Sequence, residues 1–304
     1  MKKIINYFYG INVNTDILTS DGLDFYFLYS DCNYCFSKVS ELQVERIIKF
    51  YNAYFLFPYM HNIIVNKHGN IISTNENQKY VLMKINFSNK KITYLEIIDY
   101  LEKIRKGELL FSEKGIEWDR LWRMKVDYLE YYIQNNQSIN SNIKCLCSYF
   151  IGVSENAISL VNFVKKQYPV DYNFEFVSFC HERIKKGYTL YDLYNPKNFI
   201  VDHLSRDVSE YVKTCFFEEI CFEKIEQVIE KANFTVVGYV LFFARTMFPT
   251  FFFDEFNDIE QESFDNKSLI KMYDYIDNYE RLIKEIYKFL EKKVSLPKLI
   301  WLET

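Results

Sequence analysis

The chain reads as an α+β protein in two lobes, a small antiparallel β lobe with one helix followed by a larger, mainly helical lobe. Three observations carry that expectation. Short runs of alternating apolar and polar residues fill the sequence up to Ile85. Three-to-four spacing takes over after Asn86, with no internal repeat or low-complexity linker. At 304 residues the chain can bury a sizeable core divided between two modest units. The join falls at residues 86–91, which gives a small lobe over 1–87 and a helical lobe over 88–304.

In the first lobe, LDFYFLYS and YCFSKV, between Gly22 and Val39, alternate as the two strands of a hairpin with Asp31, Cys32 and Asn33 central. Ser40 with Gln43 three residues on forms a capping box. Leu42, Ile47, Ile48, Tyr51 and Tyr54 then recur at helical spacing until Pro58. IIVN and IIST flank a turn at His68, Gly69 and Asn70, and KYVLMKI adds a strand over Lys79 to Ile85. In the second lobe, helical spacing covers 93–105, 118–134, 154–166, 209–215, 222–232, 235–246 and 268–292, broken at Gly107, Gly115 and the polar run 135–142. The last helix carries a long apolar stripe from Leu269 to Leu290, read as core, and the tail at 296–301 either docks back on the domain or binds another subunit.

Composition excludes several classes of function. Lys and Arg number 37 against 41 Asp and Glu, a net charge of −4 with the signs interspersed, so no basic block exists to neutralise nucleic-acid phosphates or to hold an anionic membrane. The start, MKKIINYFYGINVN, opens like a signal peptide, but Asn6, Gly10 and Asn12 break its apolar run and no cleavage site follows. No window approaches about 18 uninterrupted apolar residues, so no membrane span is expected. Seven scattered cysteines point to free thiols in a reducing compartment, and hence to synthesis in the cytoplasm. Cys32 and Cys35 make one C-x-x-C, without the second knuckle a zinc site needs. Tyr and Phe, 26 and 28 residues, supply nearly all of the aromatic content. They are read as core, with a sticky assembly surface as the alternative.

The stretch from Cys180 to Lys213, CHERIKKGYTLYDLYNPKNFIVDHLSRDVSEYVK, holds two of the four histidines and an Asn-Pro turn between apolar runs. That is the form of a loop held between buried elements, where functional groups concentrate. Arg206 and Asp207 within it are also suited to a structural polar knot that caps and pairs with neighbouring backbone. His61 and His68 fall in strand and turn contexts where ordinary surface roles suffice. Neither H-E-x-x-H, G-x-S-x-G nor a Gly-rich phosphate loop occurs, and Gly22 alone cannot cradle phosphates.

This layout is that of protein kinases and aminoglycoside phosphotransferases. SYFIGVSENAISLV at 148–161, CHER at 180–183, VDHLSRDVSEYVK at 201–213 and YVLFFARTMFPTFFFDEFN at 239–257 resemble the spore-coat kinase-like proteins of the CotS and YutH type. The resemblance implies a kinase-like fold, location in the bacterial spore coat and other coat proteins as partners. Active members of the superfamily place an Asp base two residues after a His, and hold magnesium with an Asn and a later Asp. Here His181 is followed by Glu182 and Arg183, so a cation stands where the base should be. His181, Asn198 and Asp202 are then the remnant candidates, with Asn198 and Asp202 the metal pair if the loop is merely shortened. In a second register DHLSRD is a structural element and the metal Asp falls near Asn195. Lys38 and Glu45 are the candidates for a kinase-like Lys and Glu pair on the nucleotide side. The expectation is therefore a catalytically degenerate protein acting in coat assembly, needing no cofactor. The alternative is a phosphotransferase that uses ATP and magnesium on a small molecule or a protein.

Overall fold

The structure is a computed structural model, and it describes residues 1–19, 22–52, 59–106, 117–136, 139–175, 177–217, 221–261 and 267–303. The chain divides into two compact units, one of Met1–Leu109, Phe179–Arg183 and Gly187–Val201, the other of Leu110–Ser178, Ile184–Lys186 and Asp202–Thr304. The first unit therefore extends past residue 87, the end expected for the small lobe, by one helix and two returning segments.

The first unit contains α1 (Lys2–Tyr9), β1 (Leu18–Thr19), β2 (Asp24–Tyr29), β3 (Cys32–Val39), α2 (Glu41–Asn52), β4 (Asn62–Ile64), β5 (Ser73–Asn75), β6 (Gln78–Lys84) and α3 (Tyr94–Lys106). Its sheet is antiparallel in the order β1-β2-β3-β6-β4, and β5 also pairs with β6. The expected hairpin is present, but its turn is Ser30 and Asp31, both left-handed (φ 48° and 57°), while Cys32 and Asn33 belong to β3. Two left-handed central residues give the turn that matches strand twist. Glu76 and Asn77 do the same between β5 and β6 (φ 47° and 63°).

Alternation in β3 and β6 places apolar side chains on both faces of the sheet. Phe36, Tyr80 and Leu82 pack with Ile5, Ile11 and Val13 on one face. Cys35, Val39, Val81 and Met83 pack with Val44 and Ile47 of α2 on the other. Helix α1, which the sequence pattern did not announce, exists because burial of Ile5 outweighs its shortness; it stops at Gly10, left-handed at φ 71°. The Ser40 capping box is formed, with Ser40 N–H donating to Gln43 Oε1 (3.0 Å) and Gln43 N–H to Ser40 Oγ (3.3 Å). The buried face of α2 is Val44, Ile47 and Phe50; Leu42 and Ile48, expected there, are exposed. Tyr54 and Pro58 lie outside the described residues, as do Gly107, Gly115 and part of the 135–142 run. β4 and β5 do not pair with each other: they follow one another along one edge of β6, separated by a turn in which buried Asn66 accepts from the N–H of His68 and of Asn70.

The chain continues through α4 (Trp118–Asn135), α5 (Ser141–Gln167), α6 (Pro169–Asn173), β7 (Val177–His181), α7 (Leu190–Leu193), β8 (Phe199–His203), α8 (Ser205–Thr214), α9 (Phe222–Ala232), α10 (Val236–Met247), α11 (Thr250–Gln261), α12 (Lys267–Ile270), α13 (Tyr273–Glu291) and α14 (Ile300–Glu303). β7 and β8 form a two-stranded sheet. Helix α5 starts thirteen residues before the expected Ser154, because Asn140 caps it by accepting the Asn142 N–H, and it runs for 27 residues. The Phe-rich run packs inside the helical unit, as its apolar cost in water requires: Phe252 and Phe253 are buried and Phe251 half-buried. The stretch Val236–Asn257 is long and apolar enough to cross a membrane, but most of its apolar part is buried within the protein. The α13 stripe is core from Tyr279 to Leu290, and Leu299 and Leu302 of the tail are buried with it. All seven cysteines are free thiols.

Candidate functional site

Strand β7 delivers the candidate loop and β8 takes it away. Between them a capping box starts α7, with Thr189 Oγ1 accepting from Asp192 N–H while the Asp192 carboxylate accepts from Thr189. Asn195 Oδ1 accepts the Lys197 N–H to turn the chain at Pro196–Asn198. The loop is thus fixed by its own Thr, Asp, Asn and Pro chemistry.

His181 is wholly buried, hydrogen-bonded through Nε2 to the Leu193 carbonyl at 2.9 Å, and walled by Tyr100, Tyr188 and Phe199. It holds the loop to β7. Asn198 donates its amide to the Asp192 carbonyl at 3.0 Å, again closing the loop on itself. Glu182, after the histidine, pairs with Arg46 of α2 at 2.9 Å; Glu182 is 62% exposed, so the pair contributes little. Arg183 is half-buried.

On the sheet side, Lys197 Nζ lies 2.6 Å from Asp24 Oδ1 and donates to Ser37 Oγ at 3.2 Å, with both charged side chains mostly buried. Tyr191 packs its ring on Tyr26 and on His61. Burial, and then the Asp24 charge, pushes the Cys35 thiol up from its ordinary value. The loop therefore lays its own Lys and Tyr on the Cys35 and Ser37 face of β3. His61 is not a surface residue: it is fully buried, accepts Asn86 N–H at Nδ1 (3.1 Å) and bonds the Tyr191 carbonyl through Nε2 (3.0 Å). His68 is exposed. Lys38 and Glu45 are not brought together. Lys38 alternates onto the face opposite Ser37, whereas α2 covers the Cys35 face, and Glu45 is exposed on α2.

In the second unit, Asp202 is held by donors from two helices and from its own backbone neighbour. Its Oδ2 accepts from Arg206 Nη1 at 2.6 Å and from Trp118 Nε1 at 3.1 Å, and its Oδ1 from the His203 N–H at 2.8 Å. Arg206 and Asp207 lie in the first turn of α8 rather than in a loop. Arg206 reaches back one turn to Asp202, and Asp207, buried, sits where a helix N-terminus favours an anion. His203, also buried, is held between Ser205 Oγ at Nδ1 (2.6 Å) and Glu175 at Nε2 (3.3 Å). One helical turn on, buried Glu210 accepts from Arg245 Nε (3.1 Å) and Nη2 (3.0 Å) and from Lys213 (3.3 Å), and Arg245 stacks over Trp118 at 4.7 Å. Trp118, Glu175, His203 and Glu210 were not expected as members of this network. The readable signal was Glu210 and Lys213 beside Val208, Tyr211 and Val212 on a short amphipathic helix, where a charge on the apolar side needs a partner.

Of the candidate metal pair Asn198 and Asp202, Asp202 carries an ion pair to Arg206. Among the described residues no three His, Cys, Asp or Glu side chains converge as metal ligands. The arrangement is that of a satisfied polar brace.

The sequence pattern of the family described as "Spore coat putative kinase YutH" matches residues 2–289. The endospore coat-associated protein YutH of Bacillus subtilis (strain 168) is 24% identical over 282 residues, which is 81% of this chain and 80% of that one. Among solved structures, an aminoglycoside phosphotransferase from Alicyclobacillus acidocaldarius superposes with a TM-score of 0.64 at 7% identity, over 93% of this chain and 94% of that one. A spectinomycin phosphotransferase in complex with ADP and spectinomycin superposes with a TM-score of 0.60 at 13% identity, over 94% and 96%. At such identities the superpositions establish a shared kinase-like fold.

Proposed function

The chain belongs to the YutH family of spore-coat kinase-like proteins, and from that premise we propose that it is a spore-coat protein that acts in coat assembly, together with other coat proteins, and not by phosphoryl transfer. The observation that carries this reading is the commitment of Asp202 to Arg206 and Trp118. A phosphotransferase needs an acid free to hold a metal and another to take the acceptor proton. Here the first is neutralised and Arg183 stands in place of the second. Two further features agree with it. His181 and Asn198 direct their side chains to carbonyls of their own loop. Lys197 and Tyr191 occupy the face of β3 that carries Ser37. Neither ATP nor magnesium is then required.

The purified protein, incubated with labelled ATP and magnesium, alone and with protein or aminoglycoside acceptors, is expected to transfer no label above background. Its melting temperature is expected not to move with nucleotide, whereas a ligand at about 100 times its dissociation constant adds about 2.7 kcal/mol. Transfer that disappears in Asp202→Asn would establish the competing reading, an ATP-dependent phosphotransferase acting through Asp202, Asn198 and His181.

A further inference from the structure

Helix α4 carries two apolar faces. Trp118, Trp122, Val126 and Leu129 are buried in the helix's own unit. On the other side Leu121, Met124, Tyr128 and Tyr131 are 53, 59, 44 and 63% exposed. Their spacing of three, four and three residues aligns them in one stripe about 15 Å long, the seam pattern of paired helices. Single exposed apolar residues need no explanation, but four large ones in register on one helix do.

On one flank of the stripe the charges are sorted by sign along the helix, while half-buried Lys125 stands on the other flank and exposed Glu117 precedes the stripe. Arg120 and Arg123 flank its N-terminal half, Asp127 and Glu130 its C-terminal half, and all four are exposed. Arg120 pairs loosely with Glu117 at 3.4 Å. Arg123 and Asp127 are four residues apart on one helix, yet among the described residues neither they nor Glu130 join an ion pair.

We propose that this face of α4 is a self-association surface, on which a second copy of the chain lays its own α4 antiparallel about a two-fold axis. The charge order selects both the occupant and the direction. Antiparallel pairing sets the arginine end of each helix against the acidic end of the other, whereas parallel pairing sets like charges together. The same patch then serves both copies, as a two-fold interface requires. The stripe offers a few hundred Å² per copy, below the roughly 800 Å² per partner of a standard stable complex. The contact is therefore weak, with a dissociation constant on the order of micromolar or above, suited to repeated use in an array. It does not depend on whether the protein transfers phosphate.

The test is sedimentation equilibrium of the full chain over a concentration series extending to several hundred micromolar. A reversible monomer–dimer equilibrium that weakens with added salt is expected. Leu121→Glu and Met124→Glu should each weaken it by at least tenfold with little change in melting temperature, since neither side chain is in the core. Reversing the basic end (Arg120→Glu with Arg123→Glu) should abolish dimers, and adding Asp127→Arg and Glu130→Arg to that variant should restore them. A monomer throughout, a dimer indifferent to Leu121→Glu, or failure of the fourfold variant to recover would each overturn the proposal.

Discussion

Replacing Asp202 by Asn separates a structural carboxylate from a metal-binding one. Three donors reach that carboxylate among the described residues: Arg206 Nη1, Trp118 Nε1 and the His203 N–H. An Asn offers one acceptor oxygen and must turn its NH₂ toward one of these donors. The charge-assisted bond to Arg206 is also lost. Hydrogen bonds to charged groups contribute about 1.5–3 kcal/mol each, and breaking a fully buried pair costs about 3–5 kcal/mol. Asp202 and Arg206 keep 12% and 16% side-chain exposure, so water recovers part of the loss. A destabilisation of about 2–3 kcal/mol follows, or a fall in melting temperature of roughly 4–10 °C. Thermal and urea denaturation of the parent and Asp202→Asn measure it. An acid kept free for a metal behaves in the opposite way, because removing an unpaired charge from a functional site usually leaves stability unchanged or raises it. A variant as stable as the parent, or more so, would refute the structural assignment of Asp202 and with it the main support for an inactive protein.

Glu210→Gln leaves the buried Arg245 and Lys213 without their shared carboxylate and is expected to cost about 3–5 kcal/mol in urea unfolding, with the triple variant Glu210→Leu, Lys213→Met, Arg245→Met, which removes every charge of the cluster, recovering at least half. Gly238→Val is expected to destabilise despite better helix propensity, since a Cβ there would lie 3.0 Å from Phe234 Cβ and 3.3 Å from His203 Cε1; equal melting temperatures would contradict the tight fit. Burial lowers the His61 pKa to about 4, and protonation would put a second N–H at Nδ1 against that of Asn86. The folded form thus binds fewer protons than the unfolded chain between about pH 6.5 and 4, so this contribution is present above pH 6.5 and is lost as pH falls through that window. A His61→Asn variant, whatever its stability at pH 7, should show a shallower acid loss there, and an unchanged slope would exclude His61 as its source.

Local rules settled much of this protein from its sequence. Period-two alternation between Gly22 and Val39 determined a hairpin, and its two strands pair in the structure. Ser40 with Gln43 determined where α2 starts, and the apolar spacing of Phe222–Ala232 determined a helix with those bounds. Each depends on groups within about four residues of one another, and the alphabet of caps, turns and periods is local. Some elements were legible only in part, because the signal for their ends is weak: α5 takes its start from Asn140, inside a polar run that reads equally well as loop. What the tertiary structure alone decided is which side chains meet. Lys38 is the sequence's candidate for a pair with Glu45, whereas it is Asp24 of the sheet that gains a lysine, Lys197, from 173 residues away. Asp202 reads from the sequence as a remnant of a metal site, and only the tertiary structure sets Trp118, 84 residues away, and Arg206 on it. A carboxylate has the same sequence whether it holds a metal, a proton or an arginine. Its role is set by the donors that packing brings within about 3 Å, and those come from segments whose meeting no local pattern records.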